Sequence, residues 1–236
     1  MTLDVIIPFY NVKEHILDVF EQNIKQIVKD GKIKNFNIIL VNDGSSTFIH
    51  GRHIENLQNT FPDILEYVDL EKNIGKGGAI KKGMEKSRAE YAIFYDIDFP
   101  FGMNALYDMY NRLNQEDIDL IIAKRDFSYY DKLPWKRKFI SIIVKLIAFV
   151  FSKGTIHDSQ AGLKGMKKKV IPILLETHSN SFIMDFEFLL KASRRKIKMS
   201  NIIVTPNEDI EFTNFSNQVL RNEIKGLLRI LISKIS

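Results

Sequence analysis

The chain has 236 residues, 45% of them hydrophobic, which is enough to bury one substantial core. Its 34 Lys and Arg residues outnumber 29 Asp and Glu residues, and the formal charge of +5 favours anionic partners without choosing among phosphates, nucleic acid and lipid headgroups. The absence of cysteine excludes a disulfide framework and thiolate metal sites, and it fits a reducing, cytoplasmic compartment.

Two segments bear on export and on membranes. A strand-like run begins at Leu3 without the basic and apolar regions of a signal peptide, which predicts a protein that is not exported. The longest apolar segment, residues 139–151, is interrupted by Ser141 and Lys145. It is shorter than the ~20 residues that a helix needs to cross a bilayer, so it is predicted not to span one.

Six short runs rich in β-branched and aromatic residues predict strands. They are DVIIPF at 4–9, FNIILV at 36–41, ILEYV at 64–68, YAIFY at 91–95, DLIIA at 119–123 and NIIVT at 201–205. Amphipathic helical patterns separate the runs. The apolar face of the clearest one consists of Val12, Ile16, Phe20, Ile24, Ile27 and Val28. This alternation predicts an α/β fold with a mostly parallel sheet, helices on both faces, and ligands bound beyond the C-terminal strand ends.

Two acids, Asp96 and Asp98, directly follow the fourth predicted strand. If the strand continued as a regular pleat, both carboxylates would face the same side. Two converging carboxylates repel each other unless a cation joins them. A hard ion such as Mg²⁺, bound by one or two carboxylates and by substrate phosphates, fits this arrangement. An acidic strand end exposed to water is the alternative interpretation.

Turn-forming residues follow two other strands. VNDGSS, residues 41–46, is typical of a tight turn, but in a parallel sheet Asp43 would stand where a carboxylate can accept hydrogen bonds from a nucleoside. NIGKGGAIKKG, residues 73–83, offers glycines for close backbone approach and Lys76 for charge, which suits a diphosphate. It matches neither a Walker loop nor a G-x-G-x-x-G fingerprint, so a plain loop before a helix stays open.

Taken together and in this order, the motifs VIIPFYN, VNDGSS, NIGKGGA and DID resemble the family 2 glycosyltransferases of GT-A fold. The second half narrows the resemblance to the dolichyl-phosphate glucosyl- and mannosyltransferase branch. The motifs that carry this are AKR at 123–125, WKRK at 135–138, HDSQAGLKG at 157–165 and FIMDFEFLLKASRRKIK at 182–198. The resemblance covers residues 3–212 and implies a Rossmann-like GT-A fold with a central, mostly parallel mixed sheet flanked by helices.

The resemblance implies a donor site. Asp96 and Asp98 are expected to hold Mg²⁺ or Mn²⁺ against the diphosphate of a nucleotide sugar. The further donor positions that it implies are Pro8, Tyr10 and Asp43 around the nucleoside, and Gly75 and Lys76 beside the phosphates. Two positions depart from the family pattern, because Val12 replaces a glutamate and Pro100 replaces the glutamine that some mannosyl members use as a metal ligand.

The resemblance also implies an acceptor site. Arg125 and Arg137 match basic positions expected to meet an acceptor phosphate, and Lys164 is a weaker candidate. The implied reaction is inverting transfer of a hexose, with UDP-glucose favoured over GDP-mannose, to a polyprenyl or dolichyl phosphate. GKGGA and DSQAGLK favour the glucosyl members.

The nature of the acceptor decides whether a base is needed. A phosphate monoester is already ionised near neutral pH, its second pKa lying at about 6, so it needs no general base. A saccharide hydroxyl, the alternative acceptor, would need one, and the available acids are Asp158, Asp185 and Glu187. Asp158 is counted among the catalytic candidates, whereas Asp185 has an alternative role as a helix cap. A noncatalytic nucleotide-sugar or lipid-binding module is a hypothesis of another class, and nucleic-acid binding is not expected because no RNP-like motif is present.

Two amphipathic segments extend the predicted domain. The expected organisation is a GT-A domain at 1–215, with a membrane-facing helix at 135–153, and a basic amphipathic helix at 216–236. Because many relatives carry C-terminal spans that do not follow here, the sequence resembles the peripheral members and predicts a protein on the cytoplasmic face of a membrane. Core packing, or a contact between two copies of the chain, is the alternative for both helices.

Overall fold

The computed structural model describes residues 2–46, 50–115, 117–126, 158 and 161–207. Within these residues the chain forms seven strands and six α-helices. The strands are β1 (Leu3–Phe9), β2 (Phe36–Asn42), β3 (Leu65–Asp69), β4 (Tyr91–Tyr95), β5 (Leu120–Arg125), β6 (Leu163–Lys167) and β7 (Met199–Val204). The helices are α1 (Glu14–Asp30), α2 (His50–Thr60), α3 (Lys76–Lys86), α4 (Gly102–Gln115), α5 (Ile171–Leu175) and α6 (Met184–Arg194).

The strands form one sheet in the order β3-β2-β1-β4-β6-β5-β7. Neighbours pair in parallel except at β6, which runs antiparallel to both β4 and β5. The predicted α/β fold with a mostly parallel mixed sheet is therefore confirmed. Strand β6 was not predicted, because its sequence LKGMK combines lysines with a glycine and contains no β-branched residue.

Helices cover both faces of the sheet. One face packs against α1, α2 and α4, and the other packs against α3, α5 and α6. Helix α1 has no side-chain hydrogen bond at its N-cap, so burial of its apolar face is the main force that holds it. Leu17, which the predicted pattern omitted, lies on that face, whereas Val28 is 53% exposed and was wrongly assigned to it.

A gap opens between the C-terminal ends of β1 and β4. Strand β1 pairs with β2 as far as Phe9, but its ladder with β4 stops at Ile6 opposite Phe94. Pro8 has no N–H to donate beyond that point, which explains why the two strands separate there. The strand order also reverses between β1 and β4, and such a reversal is the usual position of a ligand crevice in a doubly wound sheet.

Some predictions concern segments beyond the described residues. The membrane-facing helix predicted at 135–153, the helix at 216–236 and Arg137 all lie there. In the portion that is described, every helix is too short or too polar to cross a bilayer. The predicted division at residue 215 stays a prediction.

Candidate active site

The two acids of YDID lie on a turn at the end of β4. The strand stops at Tyr95, and the Phe99 amide donates to the Asp96 carbonyl at 3.0 Å, with Phe99 at a φ of +45°. The expected continuation of the pleat through both acids is therefore wrong. The Tyr95 hydroxyl accepts the Phe101 amide at 2.9 Å, which fixes the turn against the strand.

Asp96 and Asp98 nevertheless act on each other. Burial, together with the charge of Asp96, raises the pKa of Asp98 to about 6, and Lys76 opposes the shift only in part. The Lys76 ammonium forms an ion pair with the Asp96 carboxylate. Burial lowers the pKa of Lys76, but the charges of Asp96, Asp185 and Asp98 outweigh it, so the net shift is upward. The turn thus brings two carboxylates together, and their negative charge favours binding of a cation.

This residue set fits a divalent metal bound jointly with a phosphate ligand. Among the described residues, no three His, Cys, Asp or Glu side chains surround a common point, so the protein offers the two turn carboxylates and no closed cage. Mg²⁺ commonly takes one or two carboxylates and completes its shell with water and substrate phosphates. Burial, followed by the charge of Asp96, raises the pKa of Asp98, and a bound cation would oppose both effects.

The glycine-rich segment is anchored by Asp43 at the end of β2. The buried Asp43 carboxylate accepts the amides of Ile74 at 2.8 Å and Gly75 at 3.0 Å, and the Asn73 side chain at 2.9 Å. Gly75 has a φ of +92°, and a Cβ there would lie 2.6 Å from the Asn180 carbonyl oxygen, so only glycine fits. Helix α3 starts at the next residue, Lys76, and its amide-bearing end suits an anion.

The loops after β1 and β2 are tied together. The Asn11 amide donates to Ser45 Oγ, and the Ser46 amide donates back to Asn11 Oδ1, each at 2.9 Å. This exchange lets Asn11 hold a φ of +45°. Next to it Tyr10 is 48% exposed at the mouth of the crevice.

A second wall comes from the loop before α6. The Glu187 carboxylate accepts the amides of His178 and Ser179 at 2.9–3.0 Å, so this base candidate is occupied in holding the loop. The Asn180 carbonyl in turn accepts the amide of Gly78 at 3.0 Å. Phe182, 45% exposed, lies on this loop with its ring centre 5.6 Å from Lys76 Nζ.

Arg125 and Asp158 form a buried ion pair at the end of β5. Arg125 Nε donates to Asp158 Oδ2 at 2.7 Å and Nη2 donates to Oδ1 at 2.8 Å, a two-pronged contact. Both residues are buried, in contrast to the solvated surface typical of weak ion pairs. The sequence identified both residues as candidates, but it assigned Arg125 to the acceptor phosphate and Asp158 to base catalysis.

Lys164 and Asp185 form a second buried pair. Lys164 is fully buried, its Nζ lying 3.0 Å from Asp185 Oδ2 and donating to the Ala161 carbonyl at 2.8 Å. A direct contact of Lys164 with an acceptor phosphate would require this pair to open. Asp185 lies in the first turn of α6, where no side chain caps the helix, so the cap expected of Asp185 is absent.

Comparison with known proteins identifies the family. A model described as glycosyl transferase family 2 matches residues 4–173. The chain belongs to glycosyl transferase family 2. Among similar proteins, the dolichyl-phosphate beta-glucosyltransferases of Dictyostelium discoideum and Saccharomyces cerevisiae are each 25% identical over 87% of this chain. The chain spans about two thirds of their length, with 66% and 67% covered. The resemblance to this branch of the family is thus confirmed.

Solved structures support the same fold. The glucosyl-3-phosphoglycerate synthase of Mycobacterium tuberculosis, in complex with Mn²⁺, UDP and phosphoglyceric acid, aligns with a TM-score of 0.72 at 15% identity, covering 98% of this chain and 78% of that one. A complex of the same synthase with Mg²⁺ and UDP aligns with a TM-score of 0.68 at 14% identity, with the same coverage. The GT-A fold expected of a family 2 glycosyltransferase is confirmed.

The crevice of this family 2 chain gathers most of the expected donor residues. Around it lie the C-terminal end of β1, the Asp43 anchor, the glycine segment with Lys76 and the acidic turn. Their individual roles stay predictions. Sequence reasoning missed Asn11, Gly162 and Phe182, of which Gly162 packs directly against the Asp96 carboxylate. Gly162 lies within HDSQAGLKG, a motif that carried the family resemblance, and this position was the available signal for that contact.

Proposed function

We propose that the chain transfers a hexose from a nucleotide sugar, with UDP-glucose favoured, to a polyprenyl phosphate with inversion at the anomeric carbon. The observation that carries this proposal is the cluster of Asp96, Asp98 and Lys76 at the sheet's switch point. The names of the relatives, and the Mn²⁺ and Mg²⁺ complexes of UDP in the fold neighbour, support the donor and the metal.

The donor end follows from charge and shape. Asp96 and Asp98 would hold Mg²⁺ or Mn²⁺, which when bound supplies positive charge to the departing diphosphate. Lys76 and the amide end of α3, set by Gly75, would bind the same phosphates. The exposed Tyr10 offers a face for the base. Pro8 opens the crevice for the nucleoside, and Asp43 sets its floor.

At the acceptor end a phosphate is favoured over a hydroxyl. Asp158 is engaged by Arg125 and Glu187 by two backbone amides, and Asp185 has one oxygen paired with Lys164. An ionised phosphate needs no proton removed, so these engagements do not obstruct it. Arg125, which Asp158 orients, would face the acceptor phosphate together with Arg137. Lys164 would act indirectly, through its ion pair with Asp185. A cytoplasmic membrane surface would present this acceptor.

The acceptor class can be tested with purified protein. UDP- and GDP-sugars, Mg²⁺ or Mn²⁺, and either a short polyprenyl phosphate or a saccharide are incubated, and products are identified by mass. We expect a hexosyl polyprenyl phosphate from UDP-glucose, loss of product in excess EDTA, and none with the saccharide. Transfer only to the saccharide would favour the hydroxyl-extending alternative, and nucleotide binding without any product would favour a noncatalytic module.

Gly162→Ala probes the support of the metal site. A Cβ at Gly162 would lie far inside van der Waals contact of the Asp96 carboxylate, so that carboxylate must move. We expect binding of Mn²⁺ in the presence of UDP, measured by electron paramagnetic resonance, to weaken by about 10- to 100-fold. Gly51→Ala on α2 is the matched control, because a Cβ there meets nothing within 4 Å. Equal Mn²⁺ affinity in the two variants would contradict the placement of the metal beside Asp96.

A further inference from the structure

One carboxylate oxygen in the site lacks a hydrogen-bond partner among the described residues. Asp185 is only 8% exposed, and its Oδ2 is paired with Lys164. Its Oδ1 is buried and accepts no hydrogen bond from any residue that the structure describes. Buried polar atoms in native proteins are nearly always satisfied, so an orphan of this kind indicates a missing ligand or a functional role.

The orphan oxygen belongs to the charge cluster of the donor site. The charge of Asp185 acts to raise the pKa of Lys76, and the charge of Asp96 acts to raise that of Asp185. Lys164, which fixes Asp185, lies opposite Phe94 on β4, the strand that ends at the acidic turn. The start of α6 also packs against the start of α3, since a Cβ at Gly77 would lie 2.7 Å from Met184 Cβ, and this contact brings Asp185 close to the Lys76 end of α3.

The chemistry of this oxygen selects its ligand. A carboxylate repels the diphosphate and an acceptor phosphate, so neither is the ligand. Among the described residues, Asp185 also does not form a metal-binding group with Asp96 and Asp98. A neutral hydroxyl is the donor that it suits. Phe182, just before α6 and exposed near Lys76, adds an apolar face of the kind that sugar rings cover.

We propose that Asp185 Oδ1 accepts a hydrogen bond from a hydroxyl of the donor hexose, with Lys164 fixing the carboxylate and Phe182 covering the sugar's apolar face. This assignment rests on the proposed function, because it requires a nucleotide-hexose donor. It makes Asp185 a sugar-recognition residue and gives Lys164 a positioning role. The buried pair thereby becomes part of the donor site.

The test is a double-mutant cycle in which one change is made in the protein and the other in the donor sugar. The double variant Lys164→Met with Asp185→Asn removes both charges, so neither is left buried alone. Calorimetry in Mn²⁺ compares UDP, UDP-glucose and its monodeoxy analogues on both proteins. For wild type we expect at least a tenfold loss of affinity with one analogue. In the double variant that analogue and UDP-glucose should bind equally, while UDP binds within twofold of wild type.

The other outcomes are decisive. Wild-type discrimination among deoxy donors in the double variant would overturn the assignment, as would an equal loss of UDP affinity, which indicates a purely structural pair. Failure of wild type to bind UDP would remove the proposed function itself, and the inference with it. Asp119→Asn, which breaks a lysine pair at the opposite sheet edge, is the folding control and should match wild type with every donor.

Discussion

Asp98→Asn is expected to abolish metal-dependent nucleotide binding and, at the same time, to stabilise the metal-free protein above pH 6. The turn holds Asp98 beside Asp96 in a partly buried position, and burial followed by that neighbouring charge raises its pKa from 3.8 to about 6. The folded state therefore disfavours the ionised acid, which is the form that a metal requires. Function and stability should change in opposite directions.

The sign of the pH dependence follows from the raised pKa. Below pH 4 Asp98 is protonated in folded and unfolded chains alike, so the asparagine gains nothing there. Between pH 4 and pH 6 the unfolded chain ionises first, and the wild type loses stability that the variant keeps. Above pH 6 the difference is complete. We expect about 1 to 2 kcal/mol, below the full value of the shift because water screens a partly exposed group.

Urea unfolding of the metal-free proteins from pH 4 to pH 8 measures this difference, and calorimetry with UDP and Mn²⁺ measures the loss of binding. Asp108→Asn is a suitable control, since Asp108 is an exposed acid whose pairing with Arg112 is confined to the surface of α4. A pH-independent gain, or undiminished Mn²⁺-dependent binding, would show that Asp98 is not the strained metal-binding acid inferred here.

Local sequence patterns predicted the features of the fold that depend on near neighbours. Strands β1 to β5 and β7 carry short runs rich in β-branched, aromatic and other apolar residues, and the motifs that follow β1 to β4 converge because parallel strands end at one edge. Strand β6 was not predicted because its buried Lys164 is stabilised by Asp185, a residue 21 positions away in sequence and on another element. Val28 illustrates the opposite error, since an apolar residue at helical spacing can still face water.

The residues of the candidate site could be predicted from the sequence, but the ion pairs among them could not. Each acid was identified, yet which cation each one meets depends on contacts between distant segments. Arg125 with Asp158 and Lys76 with Asp96 are such cases. The turn at Phe99 also changes the geometry assumed for the two acids, because a left-handed residue is not encoded in an apolar strand pattern. The cation that pairs with each acid is thus known only from the folded structure.

Lys76→Met is expected to affect metal and nucleotide in opposite directions. In the absence of donor, the Lys76 ammonium lies on the Asp96 carboxylate, the position that a metal would share. Removing this internal cation should tighten binding of Mn²⁺ alone by about tenfold, since one competing ion pair of roughly 1.4 kcal/mol is lost. Transfer should fall by about 10²- to 10³-fold, because the diphosphate loses a positioned positive charge.

Paramagnetic resonance of free Mn²⁺, with and without UDP, separates the two effects in one titration. Lys82→Met is the matched control, since Lys82 lies on the same helix but pairs with Glu85 in solvent. If Lys76 merely neutralised the surface, both variants would change metal affinity alike. If Mn²⁺ alone bound the Lys76 variant no more tightly than wild type, the ammonium would not be holding the metal's place. The expected result would indicate that Lys76 and the metal compete for Asp96, and that donor phosphates would favour the metal by taking up the Lys76 ammonium.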